Sequence, residues 1–463
     1  MRRRPRIGLL FLYLKLYDDT LPEMRKGFEP FTKEITQAFA AAGVEVFTSG
    51  VCRVEKEFEE AVGSFEKEGV DLIVTLHLAY SPSLEAIGAL TATALPILML
   101  DTTMDHAFGP DTDPERILYN HGIHGVQDLA SMLRRSRKPF RIVAGHAGTS
   151  GVIGRAADIA RAALAAKVFR NARVLRIGES FKGMGDFAVE DETFRNALGI
   201  TVDQITPGEL APDILSVGDA EIDAEMKLDA ERYDVRLDKS VHRRSVKVCL
   251  GLRKRLEAGR YDAFSVNFLA FDSGEGPVDT VPFLEASKAM ERGVGYGGEG
   301  DALTAALVGA LSAGFGRTTF TEIFCPDWKG NSIFLSHMGE INPEVVSGRP
   351  LLVEKPFPFT NALNPAIITG CPAAGPAVFV NIVPGPEASF DLIVSPVQVL
   401  GDTQRSEMRG SVRGWIRHDA GVERFLEEYS KAGGTHHSAL VLGEKAEAME
   451  AFASFAGIGC RRI

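Results

Sequence analysis

The feature that most constrains the fold is a regular alternation of short apolar runs and amphipathic segments over the first 170 residues. The apolar runs have the length of strands, and the segments between them have helical periodicity. This alternation is typical of a parallel sheet covered by helices on both faces. With right-handed crossovers, it predicts a doubly wound, flavodoxin-like α/β domain over residues 1–170. The runs are IGLLFLYL (7–14), VEVFTS (44–49), DLIVTL (71–76), LPILML (95–100) and FRIVAG (140–145).

A second α/β domain is predicted over residues 171–316. Its strands are ARVLRIG (172–178) and DAFSVNF (262–268), and the charged stretch 218–258 between them has helical periodicity. Two further helices, at 281–292 and 301–313, close the domain.

The pattern changes in residues 317–463. Apolar or alternating runs are separated there by Pro and Gly turns, which indicates a mainly antiparallel barrel or sandwich with two late helices. The runs are TTFTEIF (318–324), SIFLSHM (332–338), AVFVNIV (377–383), FDLIVSPVQVL (390–400) and SVRGWI (411–416).

Composition narrows the classes of partner. The net charge of −11 argues against a general nucleic-acid or anionic-membrane partner, and no stretch approaches the ~20 apolar residues that cross a bilayer. The five cysteines are scattered without a CxxC, which favours a reducing cytoplasm over a disulfide framework. The apolar run after Arg4 ends at Lys15 without a cleavage site, so we expect a first strand there rather than a signal peptide.

Four short patches carry the residues with the clearest chemistry. They are GYGGEGD (295–301), FTEIF (320–324), FLSHM (334–338) and AGGTHH (432–437). Together they offer Glu299, Glu322, His337 and His437, two carboxylates and two imidazoles. This mixed O/N set suits Mn²⁺ or a similar divalent ion better than Mg²⁺, and it lacks the thiolates of structural zinc sites.

The first patch also permits other interpretations. Gly295-x-Gly297-x-x-Gly300 has the spacing of a dinucleotide fingerprint, but a helix precedes it and no acidic residue closes a βαβ unit, so we expect no nucleotide. Asp301 precedes ALTAALVGAL and is a good helix N-cap. The alternative is that Asp301 orients Glu299 from behind the ligand shell.

The order and surroundings of these patches resemble those of the L-arabinose isomerases, members of the arabinose/fucose isomerase superfamily. The resemblance covers most of the chain and implies two α/β domains followed by a C-terminal β-barrel. It extends to the segments LIVTLHLAYSP (72–82), YNHGIHG (119–125), RIGESFKGM (176–184) and FSVNF (264–268).

The resemblance implies roles for single residues. Glu299 and Glu322 would be metal ligands that also act as base and acid, with His337 and His437 as the remaining ligands. The ion would be Mn²⁺ or another divalent cation such as Co²⁺ or Mg²⁺. His436 would be a neighbour of the ligand shell. The sugar would be contacted by residues of the other similar segments, His124, Phe181 and Phe268.

The resemblance also implies a homo-oligomer, a trimer or hexamer, in which the N-terminal domain of one subunit covers the metal of its neighbour. Two sugar-facing positions depart from the family pattern. Leu14 stands in place of a glutamine, with Lys15 in place of a histidine, and His121 stands in place of another glutamine. The metal ligands are retained while the sugar-reading residues differ.

The sequence therefore predicts a metal-dependent aldose–ketose isomerase that acts on a free sugar other than L-arabinose. Such a reaction removes a proton next to a carbonyl, and a divalent ion stabilises the resulting enediolate while carboxylates carry the proton. Two alternatives stay open. One is a metal-dependent epimerase or isomerase of an unusual or branched sugar, and the other is a non-catalytic sugar-binding protein.

Overall fold

The computed structural model describes residues 3–402 and 407–463. These residues form two compact units, 3–164 and 165–463. Among them, no helix combines the length and apolarity that crossing a membrane requires.

The first unit contains a five-stranded parallel sheet with the strand order β2-β1-β3-β4-β5. The order reverses between β1 and β3, as it does in flavodoxin-like domains, and the doubly wound fold is confirmed. Strand β3 is buried along its whole length, as expected for a sheet with helices on both faces. The strands are β1 (Arg6–Leu12), β2 (Glu45–Cys52), β3 (Leu72–His77), β4 (Ile97–Asp101) and β5 (Phe140–Ala144).

The helix predicted at 22–42 is interrupted. A 3-10 turn covers Met24–Phe28, and the α-helix begins at Glu29, where Pro30 suits the first turn of a helix. A short helix that the sequence pattern did not predict precedes it, directly after β1. The helices over the first 170 residues are α1 (Lys15–Thr20), α2 (Glu29–Ala41), α3 (Glu55–Glu68), α4 (Ser83–Ala92), α5 (Ile117–Asn120), α6 (Ile123–Arg135) and α7 (Val152–Phe169).

The second unit begins with a four-stranded parallel sheet of order β10-β9-β6-β7. Its order also reverses beside the first strand, β6. The stretch predicted as helical at 218–258 is two helices with a short strand, β8, between them. The strands of this region are β6 (Arg173–Ile177), β7 (Thr201–Ile205), β8 (Asp234–Arg236), β9 (Ala263–Val266) and β10 (Gly295–Gly298).

Six helices accompany these strands. The longest, α11, is amphipathic, and its apolar face packs in a core with α12 and the strands β13 and β14 described below. The helices are α8 (Asp191–Thr193), α9 (Ala211–Leu215), α10 (Asp219–Arg232), α11 (Lys239–Gly259), α12 (Phe283–Arg292) and α13 (Ala302–Phe315).

The rest of the second unit is built on a closed antiparallel barrel, which confirms the barrel prediction. Its six strands follow the order β15-β18-β11-β12-β17-β16, and β16 pairs again with β15. The barrel strands are β11 (Thr318–Asp327), β12 (Ser332–Ser336), β15 (Gly375–Pro384), β16 (Phe390–Val399), β17 (Gly414–Arg417) and β18 (His437–Leu442). The flanking strands are β13 (Leu351–Glu354), β14 (Ala366–Thr369) and β19 (Gly459–Arg462). The two helices are α14 (Val422–Lys431) and α15 (Ala446–Ala456).

Candidate metal centre

The register of the barrel brings three of the predicted residues together. Glu322 in β11 stands opposite Ser336 of β12 on one side and opposite His437 of β18 on the other. His337 follows Ser336 directly, and His437 is the first residue of its strand. Because directly opposed residues have Cβ atoms about 5 Å apart, this register makes Glu322 a neighbour of both histidines.

Glu299 reaches the same place from the turn between β10 and α13. Its backbone has a φ of 58°, in the left-handed region that residues other than glycine seldom adopt. The Glu299 N–H donates to the Val266 carbonyl at 2.9 Å, and the Glu299 carbonyl accepts from the Phe181 N–H at 2.8 Å. These two bonds hold a conformation that costs about 1–3 kcal/mol, a kind of strain that is frequent at functional sites.

Glycine at 298 is required by the two imidazoles. A Cβ at Gly298 would lie 2.9 Å from Cε1 of His337 and 3.3 Å from Nε2 of His437. At Gly297 a Cβ would lie 2.4 Å from the carbonyl oxygen of Asp301, so this position is also fixed by close packing. Gly297, one of the glycines with the dinucleotide-like spacing, therefore has a packing role here.

The side chains converge on one point. Glu299, His337 and His437 each offer a ligand atom, and these atoms lie within 4.8 Å of one another. Nε2 of His437 is 3.2 Å from Oε2 of Glu299, and Nε2 of His337 is 3.7 Å from Oε2 of Glu322. Both histidines and Glu299 are buried, whereas the side chain of Glu322 is 20% exposed. Glu322 is thus the most exposed member of the set.

This donor set fits a divalent ion. Nε2 of His337 and Nε2 of His437 are buried, and neither makes a hydrogen bond of good geometry with the described residues, although Nε2 of His437 lies 3.2 Å from Glu299. Leaving a buried polar atom unpaired is costly unless something else satisfies it. Two unpaired ring nitrogens directed at two carboxylates supply the mixed O/N set that suits Mn²⁺ and its neighbours.

Each histidine is held from behind by a carboxylate. Nδ1 of His437 is 3.1 Å from Oδ2 of Asp301, whose Oδ1 accepts from the Thr304 N–H at 2.9 Å and caps α13. The N-cap interpretation of Asp301 is thus seen directly. Its hydrogen bonds go to His437 and to the helix, and the role of orienting Glu299 stays a prediction.

His337 has an equivalent partner that the sequence pattern did not predict. Its Nδ1 lies 2.8 Å from Oε2 of Glu340, which is fully buried. A signal was present, because a glutamate three residues after a ligand histidine in an apolar stretch needs a partner. Burial would raise the pKa of Glu340, but the His337 ring and the hydrogen bonds from Tyr296 and Gly339 outweigh burial and lower it.

A second group of residues lies behind His437. The N–H and Nδ1 of His436 bond to Oδ2 of Asp186 at 3.0 and 2.5 Å, and Nε2 of His436 is 3.7 Å from Glu299. The ring of Phe187 stacks on His437, with centroids 5.0 Å apart at 18°. Asp186 and Phe187 lie in an irregular segment, where no periodicity signals a role. His436 is next to the ligand set, as expected.

The electrostatics differ between the two glutamates. Burial would raise the pKa of Glu299, but the neighbouring His436 and His437 rings outweigh it and hold the pKa well below its usual range. Burial raises the pKa of Glu322, and His337 offsets this only in part. For His437, burial is outweighed by Asp301 and Glu299, which raise its pKa to about 9. The two carboxylates are thus set apart in proton affinity, as in sites that use one acid and one base.

Aromatic rings form a wall beside Glu299. Phe181, which bonds to Glu299 through its backbone, lies 5.8 Å from Phe268 between ring centroids. Phe268 in turn contacts Phe357 and Phe359, at 5.5 and 6.0 Å. Phe181 and Phe268 were predicted as pocket walls, whereas the two later phenylalanines were not.

The other predicted sugar contacts lie in the first unit. Leu14 is half-buried at the start of α1. Nε2 of His121 is 3.0 Å from the hydroxyl of Tyr17, and the rings of His121 and His124 are 5.7 Å apart. These residues form a cluster of their own within residues 3–164.

The chain is similar in sequence to known proteins. The family models of the L-arabinose isomerase central and C-terminal domains match residues 173–313 and 317–459. The L-arabinose isomerases of Herpetosiphon aurantiacus and Geobacillus thermodenitrificans are each 27% identical, over 85% and 84% of this chain and 80% of each relative. That of Levilactobacillus brevis is 27% identical over 86% of this chain and 87% of its own length.

The chain is an L-arabinose isomerase-like protein. It is therefore an enzyme of the isomerase class, the intramolecular oxidoreductases. Both matched ranges lie in the second unit, which also holds the four converging side chains.

Proposed function

We propose that the protein is a metal-dependent aldose–ketose isomerase that acts on a free sugar through an enediol. The observation that carries this proposal is the convergence of Glu299 and Glu322 with two buried, unpaired histidine nitrogens. Aldose–ketose isomerisation is supported by the names of the relatives, and metal dependence by the donor set.

The chain's own residues would divide the chemistry as follows. Glu299, Glu322, His337 and His437 would hold the ion, which supplies charge stabilisation for the oxygens at C1 and C2. One glutamate takes the proton from the carbon next to the carbonyl, and one returns it to the neighbouring carbon. The wall that includes Phe181 and Phe268 would exclude water from the reacting carbons.

We propose further that L-arabinose is not the preferred substrate. The relatives are L-arabinose isomerases at 27% identity, so selectivity can change while the fold is retained. In the first unit, Leu14 and His121 replace two amide side chains that both donate and accept hydrogen bonds. His124 would still contact sugar hydroxyls. Sites that recognise hydroxyl groups discriminate strongly through such groups.

The remaining expectations stand as parts of this proposal. They are Mn²⁺ as the best ion, with Co²⁺ or Mg²⁺ as substitutes, a homotrimer or homohexamer, and a cytoplasmic location. The division into 1–170, 171–316 and 317–463 is likewise retained as a proposal about domains.

The test is a panel of aldoses and ketoses incubated with metal-free protein, with and without added Mn²⁺, and with the metal content measured in parallel. We expect conversion of at least one aldose to its ketose, dependent on Mn²⁺, with exchange of the C2 proton into solvent. Epimer formation without any ketose would favour the epimerase alternative. Sugar binding without turnover in the Mn²⁺-loaded protein would favour the binding protein.

A further inference from the structure

We propose that Glu340, held in place by Tyr296, positions His337 for metal binding and thereby sets the affinity of the centre for its ion. This inference rests on the proposed metal site. Glu340 is a positioning residue, because it acts through His337 and does not itself face the point where the ligand atoms converge.

Three hydrogen-bond contacts fix the position of the Glu340 carboxylate. Oε2 lies 2.8 Å from Nδ1 of His337 and accepts from the Gly339 N–H at 2.6 Å. Oε1 accepts from the Tyr296 hydroxyl at 2.6 Å. Glu340 is fully buried and Tyr296 is 1% exposed. A carboxylate taken so far out of water requires this many donors.

The bond to Glu340 determines which nitrogen of His337 is available. A carboxylate accepts but does not donate when ionised, so Nδ1 of His337 carries the hydrogen. Nε2 then presents its lone pair, and this is the nitrogen that is buried without a partner and faces Glu322. Glu340 therefore fixes the tautomer that a metal ligand needs.

Packing fixes the orientation of the ring as well. The Phe320 ring meets His337 edge-on at 4.8 Å and Tyr296 edge-on at 5.4 Å. Tyr296 lies in β10 and Glu299 directly follows that strand. Tyr296 therefore connects the backbone that leads to Glu299 with the carboxylate behind His337. Carboxylate–histidine pairs of this kind orient ligands, and their loss weakens metal binding about 10- to 100-fold.

The pair resembles Asp301–His437, with one useful difference. Asp301 also caps α13 through Thr304, so replacing it would perturb a helix as well as a ligand. Glu340 caps no helix, and both of its oxygens serve the local network around His337. Replacement of Glu340 is therefore the cleaner way to remove the positioning effect.

The experiment compares the wild type with Glu340→Gln and Tyr296→Phe, and uses Glu344→Gln, an exposed glutamate four residues further on, as the matched control. For each metal-free protein, Mn²⁺ affinity is measured by titration, and Tm is measured with and without Mn²⁺. The Tm of the metal-free state reports a purely structural role, whereas Mn²⁺ affinity and the Mn²⁺-dependent rise in Tm report positioning.

We expect Glu340→Gln to weaken Mn²⁺ binding at least about 10-fold and to shrink the Mn²⁺-dependent rise in Tm. Tyr296→Phe should weaken binding about threefold, because it removes one hydrogen bond from Glu340. Glu344→Gln should match the wild type. If Glu340→Gln does not fold, the Mn²⁺ affinity of Tyr296→Phe tests the positioning role.

Two results would overturn the inference, and they are distinguishable. If the variants bind Mn²⁺ as tightly as the wild type while the Tm of their metal-free state falls, Glu340 is only structural. If the wild type itself binds no Mn²⁺, the proposed metal site fails and the inference fails with it.

Discussion

Buried polar atoms without hydrogen-bond partners lie in several parts of the described chain, and two groups of them have different surroundings. At the candidate metal centre, Nε2 of His337 and Nε2 of His437 face Glu299 and Glu322, and carboxylates hold both rings from behind. Among the described residues of the first unit, the unpaired atoms are the hydroxyls of Tyr13, Thr75 and Ser81, Nδ1 of His121, and both ring nitrogens of His77.

The difference indicates which kind of ligand each of the two groups can bind. Converging carboxylates and oriented imidazoles suit a cation. The imidazole of His77 is held neutral, because burial lowers its pKa to about 3. Neutral, unpaired donors and acceptors suit water or the hydroxyl groups of an uncharged ligand. Leu14 and His121, where the resemblance implies departures from the family pattern, both lie in this first unit.

The largest effect is expected on turnover when the two glutamates of the candidate metal centre are replaced. Measuring metal content in the same variants separates catalysis from metal binding. Glu299→Gln and Glu322→Gln keep the size of the side chain and one oxygen ligand but remove the group that carries the proton. Each variant should lose on the order of 10²-fold or more in turnover, with Glu344→Gln as an unaffected control. Turnover, metal content and solvent exchange of the C2 proton are measured in the same preparations. Exchange at the wild-type rate in both variants would show that the proton moves elsewhere.

An intermediate effect on substrate preference is expected from changes at Leu14 and His121 in the first unit. Leu14→Gln combined with His121→Gln restores the two amide side chains of the family pattern. We expect kcat/KM for L-arabinose to rise about tenfold or more, while Mn²⁺ affinity stays that of the wild type. Leu16→Gln, at an exposed neighbouring leucine, is the matched control. An L-arabinose preference already present in the unaltered protein would contradict the proposed substrate difference.

The smallest effect concerns stability and pH. The pKa of buried His77 is about 3 in the folded chain and about 6.5 in the unfolded chain. As the pH falls below 6.5, the unfolded state takes up a proton that the folded state does not, so the free energy of unfolding decreases. The loss is about 2 kcal/mol at pH 5 and is absent above pH 7.

His77→Leu should flatten this dependence between pH 7 and pH 5 in denaturant unfolding of the whole chain. The same substitution at exposed His106 is the control. An unchanged slope in His77→Leu would mean that His77 is not held neutral.

The four sequence patches and the family resemblance predicted Glu299, Glu322, His337 and His437 as one set, and the structure places these side chains close together. For Glu322, His337 and His437 the proximity follows from the register of the barrel strands. Glu340 and Asp186 could not be assigned roles in the same way, because their partners, His337 and His436, depend on how loops close. The left-handed backbone of Glu299 also has no local signal, since it is held by Val266 and Phe181 from other elements.

The most direct test of the metal centre is a titration of the metal-free protein with Mn²⁺, in which free Mn²⁺ is followed by electron paramagnetic resonance. The wild type should bind one ion per chain and gain thermal stability as it does so, since a ligand that binds only the folded state stabilises it. His437→Ala should lose both effects, whereas His436→Ala, at the adjacent histidine, should still bind one ion. Equal Mn²⁺ binding by His437→Ala and the wild type, or no binding by the wild type, would contradict the assignment.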